Sequence, residues 1–242
     1  MPSPASPPDS APALEEEARQ PGQADDFERR LDFRALRALN RIYGIAFHRL
    51  RQHTPCPIPR QGPALIAANH TAGLDPVVIQ AACPRPIVWV MTREYYDLPR
   101  LRWFFEWTKM VPIDVKGRDS RAWREAMRHL ERGRVVGVFP EGRIERTREL
   151  MPFQTGVALL AIRGGADLYP VFIDGLQRRT RMLHGFIAPR HPSIAWGLPL
   201  PARRSGPDRH RLPRLTAALT ERMEDLRQRY PAPRVRGHSP LR

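Results

Sequence analysis

Short apolar runs that alternate with helical stretches constrain this chain more than any other feature of it. Ala64–Ala68, Ile87–Met91, Val135–Phe139 and Leu168–Ile173 read as strands, and Met110–Val115 and Ser193–Trp196 as two shorter ones. Between them lie helical signals with recognisable ends. Asp75-Pro76 opens a helix through Ala82 with proline at the first helical position, and Asp119-Ser120 caps one that runs to Arg132 and ends at Gly133. Gln154–Arg163 stops at Gly164-Gly165, and Leu212–Tyr230 is a last amphipathic helix. Such alternation predicts the α/β class: one domain built on a mostly parallel sheet flanked by helices, with an amphipathic helix at the N-terminus. A length of 242 residues fits a single domain with a substantial core.

The two ends differ from this body. Residues 1–24 hold six prolines, are otherwise acidic, and are expected to be disordered. Residues 25–52 read as a basic amphipathic helix, with Leu36, Leu39, Tyr43, Phe47 and Leu50 at spacings of three and four among many arginines. Such a helix either lies in an anionic membrane interface or docks its apolar stripe on the body. Residues 53–230 form the body, and 231–242 a loose basic tail.

Charge and cysteine content narrow the partners. The net charge is +15, from 38 arginines and two lysines against 25 acids, and residues 1–30 alone carry −4. A body this basic attracts polyanions: nucleic acid, an anionic membrane surface or a phosphorylated substrate. No apolar run approaches the roughly 18 residues that span a bilayer, and the start lacks the basic and apolar regions of a secretory signal. Cys56 and Cys83 match no metal-ligand spacing, so no metal is expected, and a reducing cytoplasm is the simplest compartment.

Two stretches carry candidate chemistry. Asn69-His70-Thr71-Ala72-Gly73-Leu74-Asp75 sets an imidazole and a carboxylate five positions apart, directly after the strand Ala64–Ala68. A carboxylate on one ring nitrogen makes the other a general base, and the C-terminal edge of an α/β sheet is where ligands usually sit. The competing reading makes Asp75 a helix N-cap before Pro76. Phe139-Pro140-Glu141-Gly142-Arg143-Ile144-Glu145-Arg146 follows another strand and should emerge at the same edge. Its arginines suit a phosphate grip, or the segment is a charged turn. Together the two suggest a base working on a phosphate-bearing alcohol.

At this point the chain resembles the glycerolipid acyltransferases, specifically the 1-acylglycerol-3-phosphate (lysophosphatidic acid) O-acyltransferase family, over roughly residues 45–230. Asn69–Asp75 resembles that family's His-x4-Asp motif, and Phe139–Gly142 its Phe-Pro-Glu-Gly motif. Val111-Pro112-Ile113-Asp114, Pro152–Gly156 and Tyr169–Gly175 resemble further motifs in order. The resemblance implies a glycerol-3-phosphate acyltransferase-like fold. It also implies transfer of an acyl group from acyl-CoA or acyl carrier protein to the free hydroxyl of a lysophospholipid, with phosphatidic acid as the product. His70 would be the base and Asp75 its orienter. Asn69, Arg93, Lys116, Glu141, Gly142, Arg143 and Arg146 would bind substrate, with no cofactor or metal. No Gly-x-Ser-x-Gly elbow is present, which agrees with a direct transfer.

Two positions depart from the family pattern. Val115 stands where the second motif usually carries arginine, and Arg143-Ile144 where the third usually reads Thr-Arg. Both belong to the implied phosphate grip, which leaves another lyso-lipid, such as an amino-acid-containing one, as the alternative acceptor. The expected place of work is the cytoplasmic face of the inner membrane, bound peripherally. A basic nucleic-acid-binding protein is the reading from a different class, but no recognised binding module appears and none is expected. A non-catalytic membrane-surface protein is a third.

Overall fold

The structure is a computed structural model that describes residues 30–114, 119–144, 149–176, 186–202 and 210–231. The Pro-rich tail, Lys116, Arg146 and the basic C-terminal tail lie outside the described residues. In order, the elements are α1 (Leu31–Ile42), a π-helical turn (Tyr43–Phe47), β1 (Arg51–Gln52), β2 (Ala64–Ala68), α2 (Asp75–Ala82), β3 (Ile87–Thr92) and α3 (Arg93–Tyr96). There follow α4 (Arg102–Trp107), β4 (Val111–Ile113), α5 (Ser120–Glu131), β5 (Val135–Val138), α6 (Gly156–Arg163), β6 (Asp167–Asp174), β7 (Ser193–Trp196) and α7 (Arg211–Arg229).

Among the described residues seven strands form one sheet in the order β1-β7-β6-β2-β5-β3-β4. Strands β6, β2, β5, β3 and β4 are mutually parallel; β7 runs antiparallel to β6, and β1 pairs parallel with β7. The wholly apolar composition of β2 has a simple cause, since helices cover both faces of the sheet. Ala64, Ile66 and Ala68 pack on one face with Val78 and Ile79 of α2. Leu65 and Ala67 pack on the other with residues of α5, α6 and α7, among them Leu130, Leu160 and Met223.

The crossings position the site. From β2 the chain passes over through α2 to β3, beyond β5; from β5 it passes through α6 to β6, beyond β2. The two crossings run in opposite directions on opposite faces, so their helices diverge above the adjacent C-terminal ends of β2 and β5. A crevice opens at such a point.

The N-terminal segment departs from a single helix over residues 25–52. Helix α1 gives way to the π-helical turn, Arg49 adopts φ 51°, and Arg51–Gln52 enter the sheet beside β7. The close packing of the turn on α2 accounts for this break. Gly44 lies so near that an added Cβ would stand 2.7 Å from Ala81 Cβ. One face of α1 is docked: Phe33 is buried against Trp107, with ring centroids 4.7 Å apart and tilted by 30°, and the Asn40 amide donates to Val77 O at 2.9 Å. The opposite face exposes Leu31, Leu39 and Ile42, followed in the π turn by Ile45. Among the described residues no helix is long and apolar enough to cross a membrane.

Candidate active site

Asp75 organises the loop that follows β2. It is fully buried, and its carboxylate gathers four groups. Oδ2 accepts from the backbone N–H of Thr71 at 2.5 Å and of Ala72 at 2.9 Å, and Oδ1 accepts from the Thr71 hydroxyl at 2.8 Å. Oδ2 also lies 2.8 Å from His70 Nδ1. The expectation of an N-cap is corrected here. Leu74 is the capping residue, Asp75 is already helical, and its carboxylate reaches back along the chain instead of forward to α2. A turn closed by Asp75 N–H donating to Ala72 O swings the carboxylate under residues 70–72. Thr71 is a site residue that spacing alone did not single out; a hydroxyl four positions before the acid was its only signal.

The consequence for His70 is chemical. A carboxylate only accepts, so in the neutral imidazole Nδ1 carries the proton and Nε2 has the lone pair. The imidazole is held at one edge by a buried, fully bonded acid. Its side chain remains 19% exposed, which leaves the ring open to a ligand.

Asn69 has a role within the fold. It is buried, its amide donates to Ile173 O at 2.9 Å, and its Oδ1 accepts from Ile173 N–H at 2.8 Å. The side chain therefore clamps the end of β2 to β6 and steadies the loop from behind.

The segment after β5 arrives beside His70. Phe139 stacks on the imidazole with ring centroids 4.0 Å apart and 17° between planes. Glu141 follows and is buried. Gly142 adopts φ 69°, a left-handed angle that favours glycine, and an added Cβ would stand 2.7 Å from the Gln154 amide, which would have to move. Arg143 is exposed and its Nε–H donates to Met151 Sδ at 3.1 Å. Arg93 opens α3 at the end of β3, half-exposed, with Nη2 3.9 Å from Asp119 Oδ2. Asp119 also caps α5 through Ala122 N–H, and its backbone hydrogen bonds hold its carboxyl below the usual carboxylate range. His70, Asp75, Phe139 and Glu141 thus share the β2–β5 edge, while Arg93 stands at the end of β3.

The model of the Acyltransferase family matches residues 49–174. The chain belongs to the Acyltransferase family. The match includes both strand-end motifs. A 1-acyl-sn-glycerol-3-phosphate acyltransferase of Bacillus subtilis (strain 168) is 24% identical over 176 residues, 70% of this chain and 83% of that protein. The enzyme of the same name from Escherichia coli (strain K12) is 29% identical over 131 residues, 53% of this chain and 54% of that protein. The crystal structure of the 1-acyl-sn-glycerophosphate (LPA) acyltransferase from Thermotoga maritima shares the fold. It superposes with a TM-score of 0.63 at 19% identity, covering 83% of this chain and 85% of that one. This acyltransferase carries its His-carboxylate pair at the C-terminal end of β2, in the fold shared with that structure.

Proposed function

We propose that this acyltransferase moves an acyl group from a thioester, acyl-CoA or acyl carrier protein, to the free hydroxyl of a lysophospholipid, with lysophosphatidic acid as acceptor. One observation carries the reading: His70 Nδ1 lies 2.8 Å from a fully buried Asp75, at the edge where ligands bind. His70 Nε2 takes the proton of the acceptor hydroxyl as the oxygen attacks the thioester carbonyl. The C–S bond breaks, an ester C–O bond remains, and the imidazolium returns the proton to the leaving thiolate. Asp75 holds the ring and balances the transient charge. The relatives' names support lysophosphatidic acid as the acceptor. The arginine departures at Val115 and Ile144 favour a second reading, the same transfer onto another lyso-lipid.

The exposed row of Leu31, Leu39, Ile42 and Ile45, with Arg34, Arg41 and Arg49 also exposed, supports peripheral attachment to an anionic membrane surface. Trp103 on α4 is 65% exposed and belongs to the helix whose Trp107 packs on Phe33, so both elements present apolar groups from neighbouring ground.

The test is acyl transfer with purified protein, vesicles and a panel of lyso-lipids. His70→Ala should lose about 10²–10⁴-fold in rate, the range for a general base. Wild-type turnover in that variant rejects the mechanism, and a wild-type preference for another lyso-lipid replaces the acceptor while leaving the chemistry.

A further inference from the structure

A glycine in the middle of a central strand is the starting point. Strand β5 reads Val-Val-Gly-Val and is paired on both sides, by β2 and β3. Glycine weakens such a strand, so its presence marks a close approach by something else. Here that is Trp89, which stands directly opposite Gly137 in the β3 register. A Cβ on residue 137 would fall 2.6 Å from both Trp89 Cε3 and Cζ3. The indole therefore lies across the glycine. Two residues on, Phe139 stacks on that indole at 5.0 Å and 10°, and His70 stacks on Phe139 at 4.0 Å and 17°. Three nearly parallel rings step from β3 across β5 to the loop after β2, and the imidazole lies at the end of the pile.

The bond to Asp75 holds His70 at one edge of its ring, in the ring plane. It does not stop the ring from rocking about the Nδ1···Oδ2 line. A flat partner on the ring face removes that motion, which fixes where the Nε2 lone pair points. The same face has an electrostatic effect. An aromatic ring is electron-rich on its face and attracts a cation within about 6 Å of its centroid. His70 becomes such a cation only after it has accepted the substrate's proton.

We propose that Phe139, backed by Trp89 and seated by Gly137, is a positioning residue for His70: it sets the plane of the imidazole and stabilises the charge that ring acquires during transfer. The inference rests on the reading of His70 as the base. Losing an interaction made with the charged ring and absent from ground-state substrate binding lowers kcat and leaves KM.

The experiment uses the full chain with Phe139→Leu, Phe139→Met and Phe139→Tyr, assayed with an acyl thioester and lysophosphatidic acid. Leu and Met keep apolar bulk without the ring face; Tyr keeps the face. Expected are kcat losses on the order of tenfold in Leu and Met with KM within about twofold, and recovery to within about threefold in Tyr. In parallel, the His70 ring-proton resonances of the wild type should be shifted upfield by the Phe139 ring current. They should move downfield in Leu and Met and hold in Tyr. Equal losses in all three variants, losses confined to KM, or His70 resonances unmoved in Leu and Met overturn the proposal. The resonance measurement needs no turnover, so it tests the stack even where His70→Ala proves active and the base assignment falls.

Discussion

At the scale of the single residue, burial decides what each polar group can do. His129 on α5 is 5% exposed, and its Nδ1 accepts from Arg134 Nη1 at 2.8 Å. It borders a cavity of about 340 Å³ with Lys109, Arg128, Arg132 and Arg134. Burial, and then the charge of those four cations, push its pKa down from 6.5 to about 4. The folded chain thus keeps His129 neutral where the unfolded chain protonates it. Stability is complete above pH 6.5 and falls as the pH drops towards 4, by on the order of 3 kcal/mol if the whole shift is realised. His129→Asn keeps an oxygen for Arg134 and does not titrate. Its urea midpoint should therefore fall less between pH 7 and 4.5 than that of the wild type. A slope equal to the wild type's would show that His129 does not set acid sensitivity. His48 and His53, whose pKa values burial also lowers, are expected to contribute a residual slope. The same scale separates what sequence could reveal from what it could not. The His70–Asp75 pair was visible because its spacing is short and local. The clamp that Asn69 forms was not legible because its partner, Ile173, is 104 residues away. Phe139 and Trp89 were read as strand residues, and only the β3–β5 register turns them into a support for His70.

At the scale of elements, periodicity and end signals located the parallel strands and their helices, because fully apolar runs and caps are local properties. β2 and β7 fall on the expected residues, and Asp119 caps α5 as expected. The N-terminal helix was drawn too long because its apolar spacing continues through Phe47 and Leu50. What ends it, the approach of Gly44 to Ala81 and the pairing of β1 with β7, is tertiary. Helix α1 is apolar on two sides, which resolves the choice between docking and exposure: each side does one. Its exposed stripe can therefore be tested without removing β1, which a deletion through residue 52 would do. Replacing Leu39, Ile42 and Ile45 together by serine should leave the thermal midpoint within a few degrees, since all three are exposed. It should weaken sedimentation with anionic vesicles by on the order of tenfold or more, given about 1.5–3 kcal/mol per fully buried apolar side chain. Unchanged sedimentation rejects α1 as the attachment element.

At the scale of the molecule, two forces would bear on the proposed membrane attachment, and they separate by salt. Beyond residue 30 the chain carries +19, nearly all of it arginine. Near an anionic surface each such charge contributes about 1 kcal/mol and fades over a Debye length. Raising salt from 0.15 M to 1 M shortens that length from about 8 Å to about 3 Å. Apolar insertion is not weakened in this way. The wild type should bind phosphatidylglycerol vesicles strongly at low salt, bind phosphatidylcholine vesicles weakly, and keep a residual attachment at 1 M. The triple serine variant should lose that residue and retain most of the salt-sensitive part. A wild type that ignores vesicle charge would remove the basic surface from the account of attachment. One that binds duplex DNA in the presence of acidic vesicles, leaving the vesicles unbound, would assign that surface to nucleic acid. The expected pattern would hold the protein at the kind of surface in which the proposed lysophospholipid acceptor resides.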